Sequence, residues 1–271
     1  MAAPLQHALT AEERAFYCTT LEVFDRAGID VLVGGAYAFA RYTGIERHTK
    51  DFDVFVHGRD FPKTLEVLSQ AGYATDIPFP HWLGKAHCGD YFVDVIYSSG
   101  NGVACVDDEW FANATSDHVF EKPVRLCPVE EMVWSKALIQ ERERFDGADV
   151  AHMLLKRADT LNWQRLVRRF GGNWRVLLAH LILFGYIYPT ERERIPGWVM
   201  HELMRRLQTA MSVGTPAERV CRGTLLSRQQ YLVDVEEWGF LDARLRPDNS
   251  MSETDIATWT AGIAEDGADN T

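Results

Sequence analysis

Three aspartates stand in two short segments in which apolar and polar residues alternate. Asp51 and Asp53 flank Phe52, and Asp94 lies within the run from Tyr91 to Tyr97. Side chains two apart in a β-strand share a face, so the first two carboxylates should point the same way while Phe52 points into the core. If the second strand is a neighbour, about 4.8 Å away, the Asp94 carboxylate can join them.

Three carboxylates this close together are suited to binding a divalent cation. Two like charges about 4 Å apart repel by roughly 4 kcal/mol at an effective dielectric near 20, and a metal ion removes that penalty. Carboxylate oxygens are also ligands of Mg²⁺ in proteins. The pattern therefore predicts that Asp51, Asp53 and Asp94 bind Mg²⁺ together.

A double glycine supplies a second chemical feature. Gly34 and Gly35 follow the apolar run that ends at Val33. A strand-to-helix turn without β-carbons lets backbone N–H groups and a helix N-terminus approach a phosphate. The alternative is an ordinary tight turn, which a Gly-Gly pair alone would favour.

In this order, the Gly-Gly turn, the Asp51-Phe52-Asp53 strand and the later Asp94 resemble the signature of the DNA polymerase β-like nucleotidyltransferase superfamily. The stretch from Val33 to Asp53 is most similar to the branch of lincosamide- and aminoglycoside-type nucleotidyltransferases and abortive-infection nucleotidyltransferase toxins. The resemblance implies that Asp51, Asp53 and Asp94 are catalytic metal ligands and that Gly34 and Gly35 bind the nucleotide.

The same branch carries an Arg-x-Thr/His just before the first aspartate. The resemblance therefore implies that Arg47 and Thr49 lie beside the triphosphate, a role that suits a guanidinium's forked donors and a hydroxyl. The alternative is a surface arginine and a threonine at the start of a strand.

Lys136 stands in a predicted helix that Pro128 opens. Its ammonium projects from a face that Met132 and Val133 make apolar, where a lysine normally requires a partner. The resembling branch has a helical lysine here, followed by an acidic segment, which implies that Lys136 contacts a phosphate and that Asp146 and Asp149 support it. The alternative is a salt bridge between Lys136 and a nearby glutamate.

The reaction that the resemblance implies is attack of an acceptor hydroxyl on the α-phosphorus of a nucleoside triphosphate, with pyrophosphate leaving. Asp51 and Asp53 would hold two Mg²⁺ ions, which Mn²⁺ can replace, and Asp94 would bind one ion and help to deprotonate the acceptor. The acceptor is expected to be a small hydroxylated molecule. A toxin-like enzyme that modifies the 3′ end of a tRNA or other RNA is the alternative, and so is a non-catalytic relative that binds a nucleotide.

Composition limits the other function classes. The chain has 271 residues and a formal net charge of −11, which argues against indiscriminate nucleic-acid binding. No apolar run approaches the roughly 18 residues that span a bilayer, and no signal-peptide pattern opens the chain. Five scattered cysteines without a C-x-x-C pair favour a reducing cytoplasm. Whether an antitoxin or a second copy of the chain binds is left open.

Two segments could contact anionic groups. Between Lys156 and Arg175 six basic residues stand against only Asp159, so this stretch could hold an RNA end; a solvated helix face is the alternative. Before the Asp94 strand, Trp82 could face a base and Lys85 a phosphate; the alternative is a packed tryptophan and an exposed lysine.

The element pattern predicts an α/β (α+β) fold, a small mixed β-sheet flanked by helices and followed by a helical region. A capping box at Thr10 opens the first helix, and further helices and β-like segments alternate up to an edge strand near Val124. After Pro128 helical periods dominate. The predicted domains are a catalytic core over 1–127, a helical domain over 128–247 that completes the active-site cleft, and an acidic, partly disordered tail over 248–271.

Overall fold

The computed structural model of the chain describes residues 10–47, 51–119, 122–247 and 249–262. The chain divides into two compact units. The first comprises Met1–Gly100 and Cys105–Pro128, and the second comprises Asn101–Ala104 and Val129–Thr271. The first unit ends one residue after the predicted boundary at 127, but the short segment Asn101–Ala104 is part of the second unit.

The first unit contains a mixed β-sheet, and the predicted fold class is confirmed. Its helices are α1 (Ala11–Ala27), α2 (Gly35–Thr43), α3 (Phe61–Gln70) and α4 (Asp108–Ala112). Its strands are β1 (Leu32–Val33), β2 (Asp51–Phe55), β3 (Ala74–Phe79), β4 (Leu83–Cys88), β5 (Tyr91–Ile96), β6 (Thr115–Val119) and β7 (Lys122–Leu126). Within the described ranges these seven strands follow the order β3-β4-β5-β2-β1-β7-β6, with β2/β5 and β1/β7 parallel.

The sheet buries the face that sequence alternation predicts. Phe52 and Val54 are fully buried, and the Phe52 ring lies 4.8 Å from that of Tyr17 on α1. A side chain at Gly84 of β4 would come within 2.9 Å of Phe61 on α3. Helices α1 and α3 therefore cover this face, which leaves the alternate side chains of β2 on the other.

One detail of the first unit differs from the prediction. Val124 does not lie in an edge strand, because β7 pairs with both β1 and β6. The edge strand on this side of the sheet is β6, a short strand whose residues are mostly exposed. The helix start is as expected: Thr10 and Glu13 form both hydrogen bonds of the capping box.

The second unit is mainly helical. Its helices are α5 (Val129–Ala137), α6 (Gly147–Arg157), α7 (Trp163–Phe170), α8 (Trp174–Ile187), α9 (Gly197–Ser212), α10 (Leu232–Glu236) and α11 (Glu253–Ala261), and its short strands are β8 (Val220–Cys221) and β9 (Leu241–Asp242). None of the helices in the described part of the chain is long and apolar enough to cross a membrane.

The basic stretch from Lys156 to Arg175 does not form one solvated face. Arg165 is buried and its Nη2 pairs with Glu130 and, at 3.4 Å, with Glu131. Arg169 Nε donates to Glu131 Oε1 at 3.0 Å. The alternative of a solvated helix face is therefore wrong for Arg165 and Arg169, because Glu130 and Glu131 of α5 pair with them. Contact of the other basic residues with an RNA end stays a prediction.

The predicted disordered tail is wrong for residues 249–262. Ser252 and Asp255 form a capping box at the start of α11, and Met251 and Trp259 are buried. A helix this short is stabilised mainly by tertiary packing, here of Trp259, so the acidic composition of the segment does not indicate it.

Candidate functional site

The register of two parallel strands brings the three predicted aspartates to one face of the sheet. Asp53 of β2 stands opposite Asp94 of β5, and Asp51 stands opposite Phe92. Residues directly opposite on neighbouring strands share a face, and so do residues two apart on one strand. The carboxylates of Asp51, Asp53 and Asp94 thus lie on the face that α1 and α3 leave uncovered.

The Gly-Gly turn is packed against the second of these carboxylates. The backbone N–H of Gly34 donates a hydrogen bond to the backbone carbonyl oxygen of Asp53 at 3.0 Å. Gly35 has a φ of +52°, and a β-carbon there would lie 1.7 Å from Asp53 Oδ2. A β-carbon at Gly34 would lie 2.3 Å from the Phe55 ring. Glycine is therefore required at both positions, at Gly35 for conformation and for space.

Helix α2 begins directly at this turn. Its N-cap is Gly34, which has no side chain that could cap the helix, and its first turn contains no acidic residue. The partial positive charge of a helix N-terminus attracts anions. The helix start thus lies beside the Asp53 carboxylate on the acidic face, where it could receive a phosphate group.

Asp94 is the most enclosed of the three acids. Its side chain is 12% exposed, and burial raises its pKa above the ordinary value for an aspartate. The Lys85 ammonium acts against this rise in pKa, both through its charge and through a hydrogen bond, while the negative charge of Asp51 adds to it. Asp94 is therefore a buried acid that needs a cation beside it.

Lys85 provides that cation within the chain. It stands opposite Asp94 in the antiparallel pairing of β4 with β5, and its Nζ lies 2.7 Å from Asp94 Oδ1. The same ammonium lies 4.3 Å from the centre of the Phe92 ring. Lys85 is therefore not the exposed lysine of the alternative, and its contact with a phosphate stays a prediction.

The donor set suits Mg²⁺, because it offers carboxylate oxygens from two adjoining strands. As the side chains stand, no group of three or more His, Cys, Asp or Glu in the described ranges is arranged to hold a metal ion. The Asp94 carboxylate contacts Lys85, and the Asp53 carboxylate lies against Gly35. The metal role of the three aspartates stays a prediction.

A buried tyrosine lies behind the acidic strand. Tyr17 is completely enclosed, and burial raises its pKa to about 12, with the negative charges of Glu13, Asp51 and Asp53 contributing. Its phenol consequently stays protonated at neutral pH. Tyr17 packs on the Phe52 side of the sheet, and the negative charges of Asp51 and Asp53 on the other side still raise its pKa.

Arg47 and Thr49 stay predicted nucleotide contacts. Arg47 is exposed, and its guanidinium lies 4.5 Å from the centre of the Phe39 ring on α2. Its place just before β2 is compatible with contact to a ligand at the acidic face. Thr49 lies outside the described residues.

Lys136, Asp146 and Asp149 form a second charged cluster, in the second unit. Lys136 Nζ lies 2.8 Å from an oxygen of each aspartate, and Arg144 also donates to Asp146. Burial raises the pKa of Asp146, but the bonds from Arg144 and Lys136 outweigh it and hold that pKa below its ordinary value. The lysine thus has partners, as its apolar surroundings require, but they are these aspartates rather than a glutamate.

The chain is similar in structure to several solved nucleotidyltransferases. It covers 98% of the antibiotic-resistance factor ANT(2″)-Ia with 64% of its own length, at 15% identity and a TM-score of 0.46. It covers 96% of the lincosamide antibiotic adenylyltransferase LnuA with 54% of its length, at 14% identity and a TM-score of 0.38. An antigenic nucleotidyltransferase-like protein from Paracoccidioides brasiliensis is 16% identical over 64% of this chain and 93% of its own, with a TM-score of 0.37.

These proteins are of the kind that the sequence motifs resemble. No protein-family model matches the sequence, and the search of curated proteins found no match.

Proposed function

We propose that the protein is a nucleotidyltransferase, which transfers a nucleoside monophosphate from a nucleoside triphosphate to an acceptor hydroxyl and releases pyrophosphate. The observation that carries the proposal is the β2/β5 register, which sets Asp53 opposite Asp94 with Asp51 on the same face. The Gly34–Gly35 turn, at which α2 begins, adjoins the Asp53 carboxylate.

Each of these residues has a role in the proposal. Asp51 and Asp53 would hold divalent cations, two Mg²⁺ or Mn²⁺ ions in the full site, beside the α2 N-terminus that receives phosphate oxygens. Asp94 would ligate the cation nearer the acceptor and take up the proton of the acceptor hydroxyl. The bound cations would supply charge neutralisation for the triphosphate.

The proposed acceptor is a small hydroxylated molecule. The net charge of −11 disfavours a polyanionic acceptor. Arg165 and Arg169, which could have bound RNA, are instead paired with Glu130 and Glu131.

A nucleotide-binding protein without transfer activity is the second candidate. The ion pair between Lys85 and Asp94 favours it, because a carboxylate that stays bound to an ammonium can neither ligate a cation fully nor accept a proton.

The experiment incubates the protein with each of four nucleoside triphosphates labelled at the α-phosphate, Mg²⁺, and one acceptor class at a time: an aminoglycoside, a lincosamide or total tRNA. We expect label on a small molecule, and we expect Asp51→Asn/Asp53→Asn to lower the transfer rate by at least about 100-fold. The products are separated and the labelled species identified by mass.

The matched control is Asp30→Asn/Asp117→Asn, which changes the net charge equally at two aspartates that pair with Arg125 and Arg41. This control should transfer at the wild-type rate. Label on tRNA would redirect the proposal to an RNA-modifying enzyme. Nucleotide binding that depends on Mg²⁺ without any transfer would support the binding protein instead.

A further inference from the structure

The Lys85 ammonium lies beside the carboxylate of Asp94, one of the three proposed cation ligands. We propose that Lys85 is a tethered counter-cation, which holds the Asp94 carboxylate in the metal-free protein and is displaced from it when a divalent cation binds. The inference rests on the proposed function, because it takes Asp51, Asp53 and Asp94 as the cation ligands.

The geometry gives Lys85 this position through the sheet itself. Lys85 stands opposite Asp94 across the β4/β5 pair, so the backbone register brings the two side chains together on the acidic face. The distance from Nζ to Asp94 Oδ1 is 2.7 Å. The ring of Phe92, two residues before Asp94, supports the same ammonium at 4.3 Å.

The charges explain why a counter-cation is needed. Asp53 is directly opposite Asp94, and Asp51 is close enough for its charge to act on Asp94. A buried carboxylate among like charges is costly unless a cation is paired with it. A lysine on a flexible stem meets this need without metal and can also move away, since its side chain is 26% exposed and thus reaches solvent.

Displacement makes the cation affinity depend on Lys85. A site whose binding-competent form is only part of the population binds its ligand more weakly by that fraction. While Lys85 holds Asp94, the third ligand is withheld from an incoming cation. Removal of the ammonium therefore strengthens cation binding, provided that the change acts through Asp94.

The test measures Mn²⁺ binding without nucleotide, by the decrease of the free Mn²⁺ signal in electron paramagnetic resonance. Lys85→Met should bind Mn²⁺ at least about tenfold more tightly than the wild type. Mn²⁺ should also raise the Tm of this variant by more than it raises the wild-type Tm. Lys85→Arg keeps the charge and should not bind Mn²⁺ more tightly.

Two comparisons separate the local effect from net charge. Lys122→Met removes a lysine of β7 that pairs with Glu22, and it should leave Mn²⁺ affinity unchanged. In an Asp94→Asn background, Lys85→Met should have no further effect, since no carboxylate remains to be released. If Lys85→Met does not fold, Lys85→Gln, which keeps a neutral donor beside Asp94, gives the same test.

The outcomes distinguish this inference from the proposed function. If Asp51→Asn/Asp53→Asn retains wild-type Mn²⁺ binding, the metal site itself is refuted and the inference with it. If that variant loses Mn²⁺ while Lys85→Met binds as the wild type does, the metal site stands and the counter-cation is refuted. Equal tightening by Lys85→Met with and without Asp94 also refutes it, because the charge then acts through space alone.

Discussion

The Asp53 carboxylate lies where a side chain at position 35 would be. Gly35 has the left-handed φ of +52°, and its missing β-carbon leaves the space that Asp53 Oδ2 fills. The Asp53 carboxylate and Gly35, the first residue of α2, therefore fit together only because Gly35 has no side chain. Any larger residue at position 35 must move one of them.

We predict that Gly35→Ala weakens Mn²⁺ binding by at least about tenfold, the lower end of what loss of a supporting contact costs a metal site. The left-handed backbone adds about 1–2 kcal/mol of destabilisation. Mn²⁺ titration and urea unfolding measure the two effects separately.

Gly28→Ala is the control for Gly35→Ala. Gly28 also has a left-handed φ, +63°, but a β-carbon there would meet nothing within 4 Å. Gly28→Ala should lose about as much stability as Gly35→Ala does, but it should lose no Mn²⁺ affinity. Equal loss of Mn²⁺ affinity in both variants would mean that backbone strain, rather than the clash with Asp53, determines the effect.

The acidic residues of the site could be predicted from the sequence, but their partners could not. Alternation of period two places Asp51 and Asp53 on one face without any knowledge of the sheet. The pair of Lys85 with Asp94 depends on how β4 and β5 align, and nothing local to either strand encodes that register. For Lys136 the resemblance names Asp146 and Asp149 as supporting acids, and the intervening chain brings Asp146 close by folding back through a bridge between Gln140 and Phe145.

At the scale of elements, one buried histidine connects two helices of the second unit. His180 of α8 lies with its Nε2 2.9 Å from the carbonyl oxygen of Ala137, the last residue of α5. Burial lowers the pKa of His180, although the bond to Ala137 acts in the opposite direction. The fold therefore favours the neutral ring, with its N–H donated to a carbonyl that the end of α5 leaves without a helical partner.

This coupling predicts a pH dependence of stability. The unfolded chain takes up a proton at His180 near pH 6.5, whereas the folded chain does so only at lower pH. The free energy of unfolding should thus decrease as the pH falls from 7.5 to 5.5, and it should decrease less in His180→Gln, which keeps an N–H donor but does not titrate. Urea unfolding at both pH values measures the difference.

His201 on α9 is exposed and serves as the matched position. His201→Gln should retain the full wild-type decrease between the two pH values. If His180→Gln retains it too, the acid sensitivity of the second unit arises elsewhere.

Elements with strong periodicity could be predicted, and those held mainly by tertiary contacts could not. Helix α8 and strand β5 contain enough apolar residues to define their type. Strand β6 is polar and mostly exposed, and it is a strand because β7 pairs with it. Helix α11 has Trp259 as its buried contact and otherwise resembles the acidic chain around it.

At the scale of the whole molecule, the distribution of charge matters more for RNA binding than the net charge does. The net charge is −11, and the richest cationic segment has Arg165 and Arg169 turned inward to Glu130 and Glu131. Counting charges along the sequence could not show this, because burial and pairing depend on which face of α7 meets α5.

We predict that the protein binds total tRNA with a Kd weaker than about 100 µM at about 150 mM salt, beyond the usual range for nonspecific binding. Fluorescence anisotropy with labelled tRNA measures it, and a basic RNA-binding protein is the positive control. Micromolar binding that weakens steeply as salt rises would reveal an electropositive surface and favour an RNA acceptor.

The chain enters the second unit twice. Asn101 donates to Leu225 O, and Asn249 and Ser250 donate to the carbonyl oxygens of Asn101 and Gly102, while residues 105–128 return to the first unit. The chain thus passes between the two units at three points, and cleavage at any one point would not give two complete units. A fragment that begins at Val129 would lack the segment Asn101–Ala104 of the second unit. The second unit should therefore fold completely only when the residues from 101 onward are part of the same chain.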